Sequence, residues 1–416
     1  TVYDGANALG TCTLVSGVCS ISSAALTAGS HAIGARYAGT ANYATSAAAA
    51  IAQTVAQATT TTTLVSSSPS ATFGVPVTYT VTVAAANGTI PTGTATLLDG
   101  TAGVGTCTLA AGRCDVTTGA LISGTHALSA RYAGDANHLG STSATLTQAI
   151  VSPTTTVVTS SGASTYGGAV TLTVTVTAAD ATVPTGTVSL SDGTAGIGTC
   201  TLSGGTCTLT SSALAAGTHA ITARFPASAR YAASVSGSLS QAVAPASTTT
   251  TVVSSNAAST YGGSVTFTVT VATANGTTAS GSVSVLDGAA SIGTCTLASG
   301  SCSVTTSTLG AGGHPMSARY AGDANHASST SAQIDQTVAQ AATTTSVASS
   351  SLSSAFGASV TFTVTVSPAA AGGSATVYDG ANALGTCTLV SGVCSISSAA
   401  LTAGSHAIGA RYAGTA

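Results

Sequence analysis

The stretch Val77-Thr78-Tyr79-Thr80-Val81-Thr82-Val83 puts an apolar residue at every second position and a threonine between each pair. A period of two is that of a β-strand, whose successive side chains point to opposite faces. One face of this strand is therefore read as buried and the other as facing water. The same rhythm returns at Val265-Thr266-Phe267-Thr268-Val269-Thr270-Val271, and the surroundings of the two copies repeat as well. A threonine-rich start (59–63, 154–156, 248–251, 343–345) leads to an aromatic-glycine pair at Phe73-Gly74, Tyr166-Gly167, Tyr261-Gly262 or Phe356-Gly357. After the alternating strand comes a turn at Pro91-Thr92-Gly93, Pro184-Thr185-Gly186 or Ala279-Ser280-Gly281. A second strand then runs into an Asp-Gly turn at Asp99-Gly100, Asp192-Gly193, Asp287-Gly288 or Asp379-Gly380. A cysteine pair and a Leu-x-x-Gly connection follow, then strands such as 126–132. The last strand carries Gln53/Val55, Gln148/Ile150, Gln241/Val243 or Gln336/Val338.

This self-similarity has a length. Cys-Thr-Leu occurs at Cys12, Cys107, Cys200, Cys295 and Cys387, at spacings of 95, 93, 95 and 92 residues. Three complete units are expected at 57–151, 152–245 and 246–340. Residues 1–56 are the back part of a unit whose front is missing, and 341–416 is a unit without its last strand. About seven short antiparallel strands per unit, with turn signals at close intervals, predict an all-β chain of tandem β-sandwiches. The run 47–50 is all alanine and favours a helix by propensity, but it stands where other units have the strand 143–150, so a strand is expected. Only a few residues, Pro153 among them, separate one unit from the next, which predicts an elongated semi-rigid rod. Residues 1–41 return letter for letter at 376–416, whereas neighbouring units differ freely. That identity suggests a larger period of four domains, on which Ala416 would be followed by something like Asn42-Tyr43-Ala44.

Composition narrows the function classes. All seven basic residues are Arg, all ten acidic residues are Asp, and Lys, Glu and Trp are absent. Losing Lys and Glu removes two good helix formers, while Thr, Val, Ser and Gly favour strands and turns. Nothing resembles the basic footprint of a nucleic-acid binder or the cationic amphipathic face of a membrane-surface helix. No apolar run is long enough to span a bilayer, and no signal peptide begins at Thr1.

The ten cysteines form five C-x6-C pairs: Cys12/Cys19, Cys107/Cys114, Cys200/Cys207, Cys295/Cys302 and Cys387/Cys394. Each flanks a turn, and a four-residue loop would set Cys107 opposite Cys114 in one antiparallel hairpin, within disulfide reach. Cys107 shares its parity with Leu109, and Cys114 with Val116, so both sulfurs are expected to face the core. Five structural hairpin disulfides are predicted, at about 2.5 kcal/mol each on the chain-entropy model, and they point to an oxidising compartment. The rival is a zinc site of Cys107, Cys114, His126 and His138, or Cys295, Cys302, His314 and His326. Tyr43 and Tyr231 replace the second histidine elsewhere and the cysteine spacing is wide for zinc, so no metal or other cofactor is expected.

The pattern resembles the bacterial Ig-like repeat domains strung in long arrays in large bacterial surface and secreted proteins. The resemblance covers the whole chain and rests on the Thr-rich starts, Pro-Thr-Gly-Thr at 91–94 and 184–187, the Asp-Gly turns, and Ala-Arg-Tyr-Ala-Gly-Asp-Ala-Asn at 130–137 and 318–325. It implies an Ig-like sandwich in each unit and an extracellular spacer, stalk or adhesin segment. Family members typically carry small or aliphatic residues at the cysteine positions, which makes the cysteines an addition in this chain.

Other candidates read as structural. His31, His126, His219, His314 and His406 recur at the start of one strand, and catalysis there would need a nucleophile or carboxylate beside each. Asp135 and Asp323 are expected to form turns rather than to bind calcium. The sequons Asn87-Gly88-Thr89 and Asn275-Gly276-Thr277 read first as Asn-Gly turns. Arg36, Arg131, Arg224, Arg319 and Arg411 alternate with apolar positions and should face outward. Without Lys, Lys–Asn isopeptide cross-links are excluded. The function expected is a non-enzymatic spacer in a long cell-surface or extracellular protein, its partners being neighbouring repeats of the same chain. Self-assembly into a fibre, by lateral packing or strand complementation, is the first alternative. An adhesin that binds glycan or protein through end loops is the second.

Overall fold

The structure, a computed structural model, describes residues 1–414. The chain divides into two compact bodies, Thr1–Pro245 and Ala246–Ala416.

The first body begins with one five-stranded sheet of Val2–Asp4, Asn7–Gly10, Gly29–Tyr37, Ser46–Ala47 and Ile51–Val55. A two-sheet sandwich follows. Its three-stranded sheet has the order Arg113–Thr118, Val77–Ala85, Thr60–Ser66. Its six-stranded sheet runs Ala102–Thr108, Thr94–Asp99, Gly124–Tyr132, Leu146–Val151, Ser70–Thr72, with Ser141–Thr142 paired to Gly124–Tyr132. The next sandwich repeats this plan from Thr154–Ser160 to Leu239–Ala244. Between the two, Ser152 is fully buried and hydrogen-bonded on both sides, its N–H to Arg230 O at 2.8 Å and its carbonyl from Ala232 N at 2.9 Å.

The alternation of 77–83 is what builds the core. Val77, Tyr79, Val81 and Val83 are at most 2 % exposed and pack against Ala95, Leu97, Leu128, Ala130 and Tyr132 of the facing sheet. Each fully buried side chain of this size contributes about 1.5–3 kcal/mol relative to exposure. On the wet side the threonines pair across strands: Thr78 and Thr117 hydroxyls are 2.9 Å apart, and Thr80 donates to Asp115 Oδ1 at 2.6 Å. The sheets approach closely at a bulge. A Cβ on Gly105 would stand 2.7 Å from Val116 Cγ1, so only glycine fits there.

The second body holds a sandwich from Thr248–Ser254 to Ile334–Ala339 on the same plan. It then has two three-stranded sheets, one of Thr344–Ser349, Val360–Ser367 and Val393–Ser398, the other of Asn382–Thr388, Ser374–Asp379 and Ile408–Tyr412. At the head of this body, Ala246 is held as Ser152 is, by Asn325 O and Ala327 N at 2.9 Å each.

Two expectations need correction in detail. The run 47–50 is strand only at Ala47; the chain leaves the ladder at 48–50 and rejoins it at Ile51. The counterpart 143–145 shows why. Thr142 pairs with Arg131 and Leu146 with Leu128, so three residues face two, and the Ser143 hydroxyl accepts the Ala130 N–H at 2.9 Å. The break is a bulge.

The second correction concerns the cysteines, which do not face each other across one hairpin. Cys107 pairs with Ala95 in the six-stranded sheet, whereas Cys114 pairs with Val81 in the three-stranded one. The turn Ala111-Gly112, both at positive φ, is pulled from both sides: Leu109 N–H bonds to Gly93 O, and Val83 N–H bonds to Gly112 O. The later units repeat the separation. Cys200 pairs with Val188 and Cys207 with Val174 of the other sheet. Cys295 pairs with Val283 and Cys302 with Val269. Cys387 pairs with Ala375 and Cys394 with Val364. The bonds therefore join sheet to sheet rather than closing a hairpin.

Nor are the sulfurs equally sunk in the core. Cys200, Cys207 and Cys394 are buried at 8 % exposure, while Cys107, Cys114, Cys295, Cys302 and Cys387 are only half-buried at its margin. Burial of Cys207 and Cys394 among valines of the core makes them packing residues as well as staples, with no surface to offer a ligand. All five pairs are bonded, with Cα atoms 5.7–5.8 Å apart. For Cys12–Cys19 only the first of the two sheets is present among the described residues.

One core group lacks a partner. The Tyr79 hydroxyl is buried without a hydrogen bond, while Leu172, Phe267 and Phe362 hold its place in the other sandwiches. An unsatisfied buried hydroxyl costs about 1–3 kcal/mol. Tyr79→Phe is therefore expected to raise the stability of its sandwich by about 1 kcal/mol, read as an upward shift of one transition in calorimetry of the whole chain. A fall in that transition would contradict the packing described. Replacing Cys107 and Cys114 together by Ala is expected to lower the same transition, by about 2–3 kcal/mol.

Candidate functional site

The chemistry-bearing residues gather in two places per sandwich. The first lies between the Asp-Gly turn and the start of the strand that carries the recurring histidine. Asp99 ends the strand Thr94–Asp99, and Gly100, at φ +57°, takes the first position of the two-residue turn. His126 Nδ1 lies 2.7 Å from Asp99 Oδ2, and its Nε2 lies 2.8 Å from Ile122 O. The same clamp forms at His31–Asp4, His219–Asp192, His314–Asp287 and His406–Asp379, with carboxylate distances of 2.6–2.7 Å. In each, Nε2 faces a carbonyl four residues back, that of Thr27, Ala215, Gly310 or Thr402. The carboxylate that catalysis would require is thus present, but no ring nitrogen is left to meet a substrate. The signal was in the sequence: Asp and His are 27 residues apart in every unit.

Two acceptors on one ring favour the imidazolium. The backbone carbonyl first, then the aspartate, raise the pKa of His31, His219, His314 and His406, against the opposing effect of burial.

The second place lies at the opposite end of the sandwich. Asp135 forms the expected turn, its Oδ1 accepting Asn137 N at 2.8 Å. Its Oδ2 reaches across to Thr92, accepting N–H and hydroxyl at 2.8 and 2.9 Å. Buried His138 stands 2.7 Å from Asp135 Oδ1 through Nδ1 and 2.6 Å from Thr89 Oγ1 through Nε2. Thr89 Oγ1 is also held by Asn87 Oδ1 at 2.6 Å, so the sequon is an Asx turn. The group recurs as Asp323, His326, Thr277, Asn275 and Ser280. In the intervening sandwich Tyr231 takes the place of the histidine, and its hydroxyl donates to Thr182 Oγ1 and Val183 O at 3.1 Å. A tyrosine that closes the same loops marks the histidine as a loop fastener. Burial works against ionisation of Asp135 and Asp323, but the amides, hydroxyls and histidines around them outweigh it and hold both well below the usual carboxylate range.

The structure does not bring the zinc set together. The cysteines are bonded to each other, His126 and His138 sit on separate aspartates, and no cluster of three or more His, Cys, Asp or Glu suited to a metal exists among the described residues. The five recurring arginines are exposed, and Arg36 lies over the Tyr3 ring at 5.7 Å.

These shifts set a pH dependence. A raised histidine pKa gives stability that is full below the unfolded value near 6.5 and is lost as pH rises through the folded value. The depressed aspartates give stability present above about pH 4 and lost on acidification. Melting temperature is therefore expected to be highest between about pH 4 and 6.5 and to fall on both sides. Asp192→Asn is expected to flatten the alkaline side for its own sandwich, as followed by calorimetry across pH. An unchanged alkaline slope would remove the clamp from the account.

Three comparisons place the fold among known proteins. A search of curated proteins finds no match. Among solved structures, the fibronectin(III)-like modules of Clostridium thermocellum CbhA share 19 % identity, covering 44 % of this chain and 94 % of theirs, with a TM-score of 0.21. The Escherichia coli adhesin FdeC shares 16 %, covering 67 % of this chain and 96 % of its own, with a TM-score of 0.28. The I9–I11 tandem from titin shares 11 %, covering 67 % and 100 %, with a TM-score of 0.27. The profile of the bacterial Ig-like domain (group 3) matches residues 1–56, 64–151, 156–244, 251–339 and 346–416. The chain belongs to the bacterial Ig-like domain (group 3) family, as a tandem array of its repeats.

Proposed function

We propose that this chain is a non-catalytic spacer segment of a longer exported surface protein, with sandwiches over 57–151, 152–245 and 246–340 flanked by 1–56 and 341–416. The observation that carries the reading is the fate of the recurring polar residues. Each of the five recurring histidines has both ring nitrogens engaged within its own unit, and each cysteine pair is closed. What repeats is therefore a set of fasteners, and a spacer needs fasteners in every unit. Export follows from the disulfides, which persist in oxidising compartments, and residence at a surface follows from the family. The partners on this reading are the neighbouring repeats.

A fastener between sheets also predicts a mechanical signature. Pulled from its two ends, the chain is expected to unfold one sandwich at a time. After reduction each step is expected to lengthen by about 2 nm, because the span between bonded cysteines is released at ~3.5 Å per residue. Single-molecule force spectroscopy with and without reductant measures this. One cooperative rupture of the whole chain, or steps indifferent to reductant, would count against independent load-bearing units.

A further inference from the structure

We propose that the sheet edge at Ile408–Tyr412 is a docking site for residues 46–55 of a second copy of this chain, which join it as an antiparallel strand. This goes beyond the spacer reading and does not rest on it.

In each complete sandwich the strand that carries the recurring histidine has a glutamine strand beside it, with His126 opposite Gln148, His219 opposite Gln241 and His314 opposite Gln336. Among the described residues of 341–414 the corresponding sheet stops at Ile408–Tyr412. Beside that edge lies a groove of 580 Å³ lined by Val347, Leu352, Phe356, Phe362, Leu401 and Ile408. Leu352 is 99 % and Phe356 81 % exposed. A row of unpaired backbone groups next to apolar side chains is a template for an added strand.

The chain itself specifies the occupant. Residues 404–412 have the sequence of Gly29–Tyr37, within the 41-residue identity. The partner of Gly29–Tyr37 is Ile51–Val55, with His31 opposite Gln53, Ile33 opposite Ile51 and Gly29 opposite Val55, and Ser46–Ala47 continues the pairing to Tyr37 and Arg36. The same nine side chains at 404–412 therefore select the same strand in the same register. Gln53 would face His406, and Ile51 would face Ile408.

The new site offers more than the old one. Gln148 and Gln336 are buried and accept a hydrogen bond from Ser66 and Ser254 at 2.7 and 2.6 Å. The counterpart of these serines is Ser349, which now donates to Ser351 O. In 1–56, Gln53 is exposed and Ile51 is 65 % exposed, because no second sheet covers them. The counterparts of Val55 in complete sandwiches, Ile150, Val243 and Val338, are 3–4 % exposed. Transfer of the strand keeps an identical ladder of backbone hydrogen bonds and adds the burial of Ile51 and Val55. It also supplies a partner for residues 353–355, whose counterparts Ser70–Thr72 and Ala258–Thr260 pair in parallel with the last strand of their sandwiches.

The test uses the full chain and a synthetic peptide of residues 43–57. Sedimentation velocity of the chain is expected to show self-association that grows with concentration and is reversed by excess peptide. Ile51→Asp, at an exposed position that leaves the fold of 1–56 undisturbed, is expected to abolish it. Labelled peptide is expected to saturate the Ile51→Asp chain at one site, and a Gln53→Ala peptide to bind about tenfold more weakly. A chain that stays monomeric at every concentration, self-association indifferent to Ile51→Asp, or a scrambled peptide that binds as well as the true one would overturn the inference. A monomeric chain would leave the force signature of the spacer reading untouched, so the two can fail separately.

Discussion

When Val77, Tyr79, Val81 and Val83 close onto Ala95, Leu97, Leu128 and Ala130, neither sheet keeps a wet apolar face. That closure is made from small side chains, since the chain has no Trp and few other aromatics. A core of valines and alanines is thin, and each unit buries only what two sheets can hide. The disulfide between the sheets and the carboxylate–imidazole clamp at their edge make sense against that background. Both hold the sheets in register where packing alone supplies a modest margin.

Much of this was legible in the sequence because a strand writes its faces into a period of two. The run 77–83, the turn glycines and the spacing of Cys-Thr-Leu are local features, and they describe sandwiches without any knowledge of tertiary contacts. What a period cannot say is which strand lies beside which. Cys107 and Cys114 look like facing members of one hairpin, yet the hydrogen bonds at Leu109 and Val83 send them to different sheets. Cys207 and Cys394 are parted from Cys200 and Cys387 in the same way, since Val176 and Val366 draw the turn glycines Gly205 and Gly392 to the smaller sheet. The bulge at 143–145 depends on one hydroxyl replacing a ladder bond, and at 48–50 alanine follows the same path without it. The Asp–His clamp was visible only as a constant separation of 27 residues, a number without meaning until the sheet brings its ends together.

The two titratable clusters also show how repetition should be read. A carboxylate, an imidazole and a hydroxyl in line, as at Asp135, His138 and Thr89, have the order of an acid–base relay. Here the hydroxyl is already held by Asn87, and a tyrosine does the same work in the next sandwich. Substitution by a residue that keeps the contact but not the chemistry identifies the contact as what matters.

The outward-facing arginines carry a last consequence. Lys is absent, and six of the seven arginines lie inside hydrogen-bonded strands: Arg36, Arg113, Arg131, Arg224, Arg319 and Arg411. A protease that cuts after basic residues must draw an extended, unpaired segment into its cleft, and exposed loop tips are where it usually finds one. In this chain only Arg230 lies outside a strand among the described residues. Tryptic digestion at the other six sites therefore waits on local opening of a sheet. Composition and topology together give the array a resistance to trypsin-like enzymes that needs no inhibitor and no cover.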